Sequence, residues 1–264
     1  MNNARPGPLP EYREREGFTL VELLAVVGIV SLLIGLLLPA MGRARAQSKS
    51  VACQSNLRQM MLATQMYQQN NAGRFPLATY FVYRPPVRVE YNWDYIRTRD
   101  TSTGQTRIEP GTLWWGNATS RVQQCPTFDG RSVGYTDDPH TGYNYNTSYV
   151  GREMTVSGQI PVPPARASQV RRPSQTAVFG DGQYSAGANK FMRSPFPTAG
   201  ESLTTGRWGG TQGFRHRGRT NVAFADGHVE SQAERFTNTL PFEMTKVGPG
   251  TGFLSPDNSM YDLE

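Results

Sequence analysis

Residues 18–41 read FTLVELLAVVGIVSLLIGLLLPAM, and Glu22 is the ionisable group among them. About 20 apolar residues, each rising ~1.5 Å, cross the hydrocarbon core of a bilayer, so this stretch predicts a spanning helix. A cleaved secretory signal is the competing reading, with Ala44-Arg45-Ala46 as its cut site, but the apolar core of such a signal runs to only about 7–15 residues. MNNARPGPLPEYREREG precedes the span with Arg5, Arg13 and Arg15, while Arg43, Arg45 and Lys49 follow it. Basic residues flank both ends, so charge alone leaves the orientation open.

The remainder of the 264-residue chain has room for one good-sized domain. Two cysteines are too few for a disulfide-dense mini-fold or a four-cysteine zinc site. A hydrophobic content of 37% and an aromatic content of 11% exclude a disordered chain. Gly (27) and Pro (19) are abundant while charged residues reach only 18%, which favours short strands and many turns over a helical bundle. A mean hydropathy of −0.53 excludes a polytopic membrane protein but allows one span. The net charge of +6 is moderate and discriminates little.

Glu22 is the costly residue. A carboxylate within a membrane helix costs roughly 3 kcal/mol or more unless it is paired, protonated or able to reach the headgroups. Gly28, Gly35 and Gly42 recur on nearly one face, where small side chains let helices approach closely, although glycine is also common in membrane helices generally. Pro39 cannot donate to the carbonyl of Gly35, so a kink or local melting is expected over Gly35–Pro39.

The helix is expected to continue past the membrane. Ala46, Ser50, Cys53, Leu57, Met60, Thr64 and Tyr67 form an amphipathic stripe, with Arg58, Gln65, Gln68 and Gln69 opposite. Asn70, Asn71 and Gly73 signal its end, and Pro76 prevents resumption. Leu77–Tyr83, Val87–Trp93 and Gly142–Val150 read as strands. Ala177–Gly182 and Val222–Gly227 each end in Asp-Gly, the pair that suits a hairpin turn, and 228–231 read as the returning strand after the second. With no further long apolar helix, an antiparallel sheet is expected. Residues from Lys246 onward read as a loop lying on the surface. The fold class is thus α+β, a long N-terminal helix packed on an antiparallel β head. Its parts are a leader (1–17), a spanning helix (18–41), an amphipathic extension (42–71) and a head (72–264).

The junction Gly17-Phe18-Thr19-Leu20-Val21-Glu22 resembles the type III signal of prepilins and pseudopilins, the subunits of type IV pili and type II secretion pseudopili. That resemblance implies cleavage between Gly17 and Phe18 by prepilin peptidase and N-methylation of Phe18. It also implies pairing of Glu22 with the new Phe18 amine, which makes Glu22, Gly28, Gly35 and Pro39 assembly residues. The implied partners are the peptidase, copies of the chain and other pilin-like subunits, and an inner-membrane assembly platform. His216 followed by Asp226-Gly227 resembles the H-x9-DG motif of a pilin-like family abundant in Planctomycetes-type bacteria. Cys53–Gln59, Phe75-Pro76, Cys125-Pro126 and Tyr143–Asn146 are similar to other blocks of that family. The pilin-like resemblance as a whole implies a non-enzymatic filament subunit with no catalytic residue; the alternatives are a membrane-anchored metal-dependent binding protein or enzyme using His216 and Asp226, or a DNA-uptake or adhesive minor pilin.

His216, Asp226 and His228, with Asp181 if the two Asp-Gly segments are adjacent, are candidate metal ligands. Major pseudopilins carry a structural calcium in their C-terminal loops, and the resemblance extends that expectation here. The alternative is a turn at Asp226-Gly227 with His216 hydrogen-bonded across it, and no cofactor. Cys53 and Cys125 either form a disulfide clamping helix to head or remain two buried thiols. Arg207, Arg215, Arg217 and Arg219 make the densest basic patch, but no stacking aromatics accompany it, so nucleic acid is not an expected partner.

Overall fold

The computed structural model describes residues 18–114, 122–128, 142–152, 163–184, 187–198 and 210–264. Gly17, the leader and Arg207 lie outside them. The chain divides into two units, Met1–Arg45 and Ala46–Glu264, and helix α1, Leu20–Asn70, contributes to both.

In the first unit every described residue is exposed, the apolar ones included: Leu24 is 63% exposed and Leu36 69%. This part of α1 is apolar on all sides, as in a helix that is to be surrounded by lipid or by other helices. A Cβ added at Gly28, Gly35 or Gly42 would meet nothing within 4 Å. Of the kink or local melting expected over Gly35–Pro39, the melting is absent: α1 runs through Pro39 as one helix. Proline deletes one hydrogen-bond donor, and the neighbouring links carry the helix across it.

In the second unit the predicted stripe turns inward, with its end residues Ala46 and Tyr67 half-buried. Ser50, Cys53, Leu57, Met60 and Thr64 face inward together with Met61, whereas Leu62 and Met66 face outward. Thr64 donates its hydroxyl to the carbonyl of Met60, which satisfies that buried polar group within the helix.

Two principal sheets follow. The first is an antiparallel meander of β1 (Thr79–Arg84), β2 (Val87–Asn92), β3 (Tyr95–Asp100) and β4 (Thr106–Pro110). Tyr80 and Tyr91 stack across β1 and β2 with ring centroids 4.4 Å apart. The second sheet has the order β10-β9-β6-β5-β7, from β5 (Tyr143–Asn146), β6 (Ala177–Asp181), β7 (Phe191–Met192), β9 (Thr220–Phe224) and β10 (Val229–Gln232). β6 lies between β5 and β9 and is buried along its whole length, which explains its unbroken apolar run. Trp93, Tyr145 and Phe179 form an aromatic cluster at the centre of the main core, with centroids 4.8–5.8 Å apart.

Three expectations are corrected. The β5–β7 pair is parallel. β6 runs antiparallel to β5 and ends beside Tyr143, so a chain turning onto β5's free edge must run in β5's direction. Asp181-Gly182 is no hairpin turn: Asp181 ends β6, fully buried, and Gly182 bridges to Gln212. The C-terminal segment is more than a surface loop. Its strand β11 (Thr251–Gly252) pairs with β8 (Gln212–Gly213), and Leu254 and Tyr261 enter a second core with Met192, Val222 and Phe224. Asn146 holds it there by donating to the carbonyls of Ala177 and Tyr261, both at 2.8 Å.

Candidate functional site

The first site is the entry to α1. Thr19 donates to Glu22 Oε2 through its backbone N–H (2.9 Å) and its hydroxyl (2.7 Å), and the Glu22 N–H donates back to Thr19 Oγ1 at 3.3 Å. This reciprocal arrangement is a capping box, and it occupies two of the donors that a helix start leaves unpaired. The sequence signal for it is Thr-x-x-Glu at 19–22, which the lone acidic residue in the apolar run obscures. Phe18 immediately precedes the box and is exposed. Phe18, Glu22, Gly28, Gly35 and Pro39 therefore lie along one uncovered segment.

The second site is buried in the head, where four separate chain segments converge. Cys53 comes from the inward stripe of α1. Cys125 opens a turn in which the Phe128 N–H donates to the Cys125 carbonyl, with Pro126 at the position where a fixed φ helps. Gly142 (φ +97°) passes so close that a Cβ there would lie 2.7 Å from the Cβ atoms of both Cys125 and Phe128. Asp181 ends β6. His216 precedes β9 and exchanges backbone hydrogen bonds with Arg219 across Arg217-Gly218, both at positive φ as a tight two-residue turn requires.

Asp181 is the hub. Its Oδ2 accepts the Asn221 N–H at 2.7 Å, and its Oδ1 accepts from Arg215 Nη2 at 3.0 Å and from the Cys53 thiol at 3.1 Å. His216 Nε2 lies 3.2 Å from Oδ2 and 3.3 Å from Oδ1. The two sulfurs are buried free thiols 4.0 Å apart, the second of the two arrangements the sequence left open, and both share the carboxylate. Arg215 Nε also donates to Cys125 Sγ at 3.4 Å, and its guanidinium lies over the Phe128 ring. This side chain was expected in a solvent-facing basic patch but turns inward instead, because the fully buried carboxylate needs a cation.

Protons are redistributed accordingly. Burial opposes charging of His216, but hydrogen bonds to Asp181 and Cys125 outweigh it and push its pKa up to about 9. Burial pushes the Cys53 thiol up, whereas the hydrogen bond with Cys53 holds Cys125 low, so the pair readily keeps one proton between two sulfurs. The ligating atoms of Cys53, Cys125, Asp181 and His216 all lie within 4.8 Å of one another.

Asp226 takes no part in this cluster. Its Oδ1 accepts from the His228 N–H at 3.0 Å and pairs with His228 Nδ1 at 2.6 Å, in the exposed turn between β9 and β10. Gly227 supplies that turn's positive φ of 97°. The expected grouping of Asp181 and His216 holds, but Asp226 and His228 belong to a different place and a different task. Calcium also fits the cluster poorly, since it takes six to eight oxygens rather than thiols and imidazole.

Residues 12–38 match the family model of the prokaryotic N-terminal methylation motif. No curated protein and no solved structure matches the chain. A long, uncovered apolar helix that begins with this motif, together with antiparallel β sheets, is a pilin-like α+β arrangement. The motif is the one that prepilin peptidase processes.

Proposed function

We propose that the chain is a non-enzymatic structural subunit of a type IV pilus-like or type II secretion-like filament. The precursor sits in the inner membrane as a single span, leader in the cytoplasm and head in the periplasm. Prepilin peptidase cuts between Gly17 and Phe18 and methylates Phe18. The assembly platform then moves the subunit into a helical array in which residues 18–41 of neighbouring copies replace lipid.

One observation carries this reading: from Phe18 to Arg45 the chain leaves apolar residues exposed around the whole helix, beginning at the methylation motif. Such a surface requires lipid or other helices around it. Glu22 then sets register. The amine created on Phe18 neutralises its carboxylate, on the same subunit or a neighbour, and pairing of buried charges is best attested as a device for specifying alignment.

The test is Glu22→Ala in the native host, comparing the membrane fraction with sheared filaments. Processing is expected to proceed normally while incorporation falls. Equal incorporation of the variant contradicts the register role.

A further inference from the structure

The geometry points to a structural zinc site formed by Cys53, Cys125, Asp181 and His216. Tetrahedral zinc, with bonds of about 2.3 Å to sulfur and 2.0–2.1 Å to nitrogen or oxygen, places its ligand atoms roughly 3.3–3.8 Å apart. The sulfurs here are 4.0 Å apart, and Asp181 Oδ1 lies 3.1 Å from Cys53 Sγ and 3.7 Å from Cys125 Sγ. His216 Nε2 is 3.8 Å from Cys125 Sγ and 3.3 Å from Asp181 Oδ1. These five edges lie within about half an ångström of the tetrahedron, and the sixth, between Cys53 and His216, falls within the 4.8 Å that spans all four ligand atoms, so the side chains need only close inward on the ion. All four residues are buried, which leaves no open position for water or substrate and marks the site as structural.

The charges also balance. Zinc (+2) and the Arg215 guanidinium (+1) offset two thiolates and one carboxylate, with His216 neutral. Binding therefore releases the proton that the two sulfurs share, together with any proton held by the imidazole. Arg215 already donates to both Cys125 Sγ and Asp181 Oδ1, as an outer-shell group does around a metal centre. A disulfide would use the two sulfurs and give the buried Asp181 and His216 no part. Thiolate and imidazole together select zinc-like ions over calcium or magnesium. Once bound, the ion would join α1, the Cys125 turn, β6 and the hairpin before β9, which no single covalent bond does.

The full chain is to be purified in mild detergent without chelator or added reductant, and its metal content measured by mass spectrometry. The metal-stripped protein is then titrated with Co2+ as a spectroscopic probe. One zinc per chain is expected, together with thiolate-to-cobalt charge-transfer absorption and the visible bands of a tetrahedral ion. Cys125→Ser and His216→Ala are each expected to weaken cobalt binding by more than the roughly 10–100-fold typical of an outer-shell change. Asp226→Ala is expected to leave it unchanged. Unaltered protein provides the decisive spectrum, so the result holds even where a cysteine variant does not fold. A Cys53–Cys125 disulfide in the isolated protein, reduced protein that takes up neither ion, or cobalt bound without a thiolate band each overturns the site.

Discussion

Leu57 and Leu62 occupy one helix, share one chemistry and differ only in the face they present: Leu57 is 0% exposed and Leu62 59%. Leu57→Ala removes buried methyl groups from a core shared with Met60, Phe75 and Trp93. Such truncations cost about 2–5 kcal/mol, combining lost transfer energy with the cavity left behind. Leu62→Ala removes atoms that already face outward and should change stability by no more than about 0.5 kcal/mol. For a unit of this size, 1 kcal/mol shifts the melting midpoint by roughly 2–4 °C, so Leu57→Ala should lower it by about 4–20 °C and Leu62→Ala by about 2 °C at most. The assay is thermal unfolding of the full chain in mild detergent, followed by intrinsic tryptophan fluorescence, to which the buried Trp93 contributes. Equal shifts for the two variants would refute the claim that this half of α1 is one stripe laid on the head.

Other outcomes follow from particular contacts. Asn146→Ala leaves the carbonyls of Ala177 and Tyr261 and the Tyr149 N–H without their buried partner, and should cost about 3–4 kcal/mol. Hydrogen exchange should then show the segment around Tyr261 losing protection first; uniform loss would contradict its role as anchor of the C-terminal segment. Gly227→Ala places a side chain at φ +97° and should cost about 1–2 kcal/mol by urea denaturation. Asp226→Ala, on an exposed turn, should cost only about 1 kcal/mol, and its metal content should equal that of the unaltered protein.

The helix was legible because its signals are local and agree with one another: an apolar run, then a stripe with a regular period, then Asn70, Asn71 and Gly73. The β9–β10 hairpin was legible for the same reason, since Asp226-Gly227 is followed at once by a strand-forming segment. Asp181-Gly182 carries the same dipeptide but is followed by Gln183 and Tyr184 and leads into no paired hairpin strand, so the turn signal misled there. β3 and β4 escaped notice because Arg97, Arg99, Arg107 and Glu109 give them the look of a charged loop, whereas Arg97 is in fact neutralised by Glu90 on the neighbouring strand. The buried cluster was half legible. Each of its four ligands stood out as a residue type, but which of them meet depends on strand order, and β6 lies next to β9 only once the sheet has formed. Arg215 was misread because its position beside Arg217 and Arg219 suggested a surface, and nothing local reveals a carboxylate buried on another strand.

The central claim is that trimming places a positive terminus at the start of an apolar helix whose first turn carries Glu22. Mass spectrometry of the protein isolated from its native membrane tests it most directly. The account predicts a chain that begins at Phe18 and carries one methyl group on its amine. A chain that retains residues 1–17, or one that begins at Gln47, would contradict it.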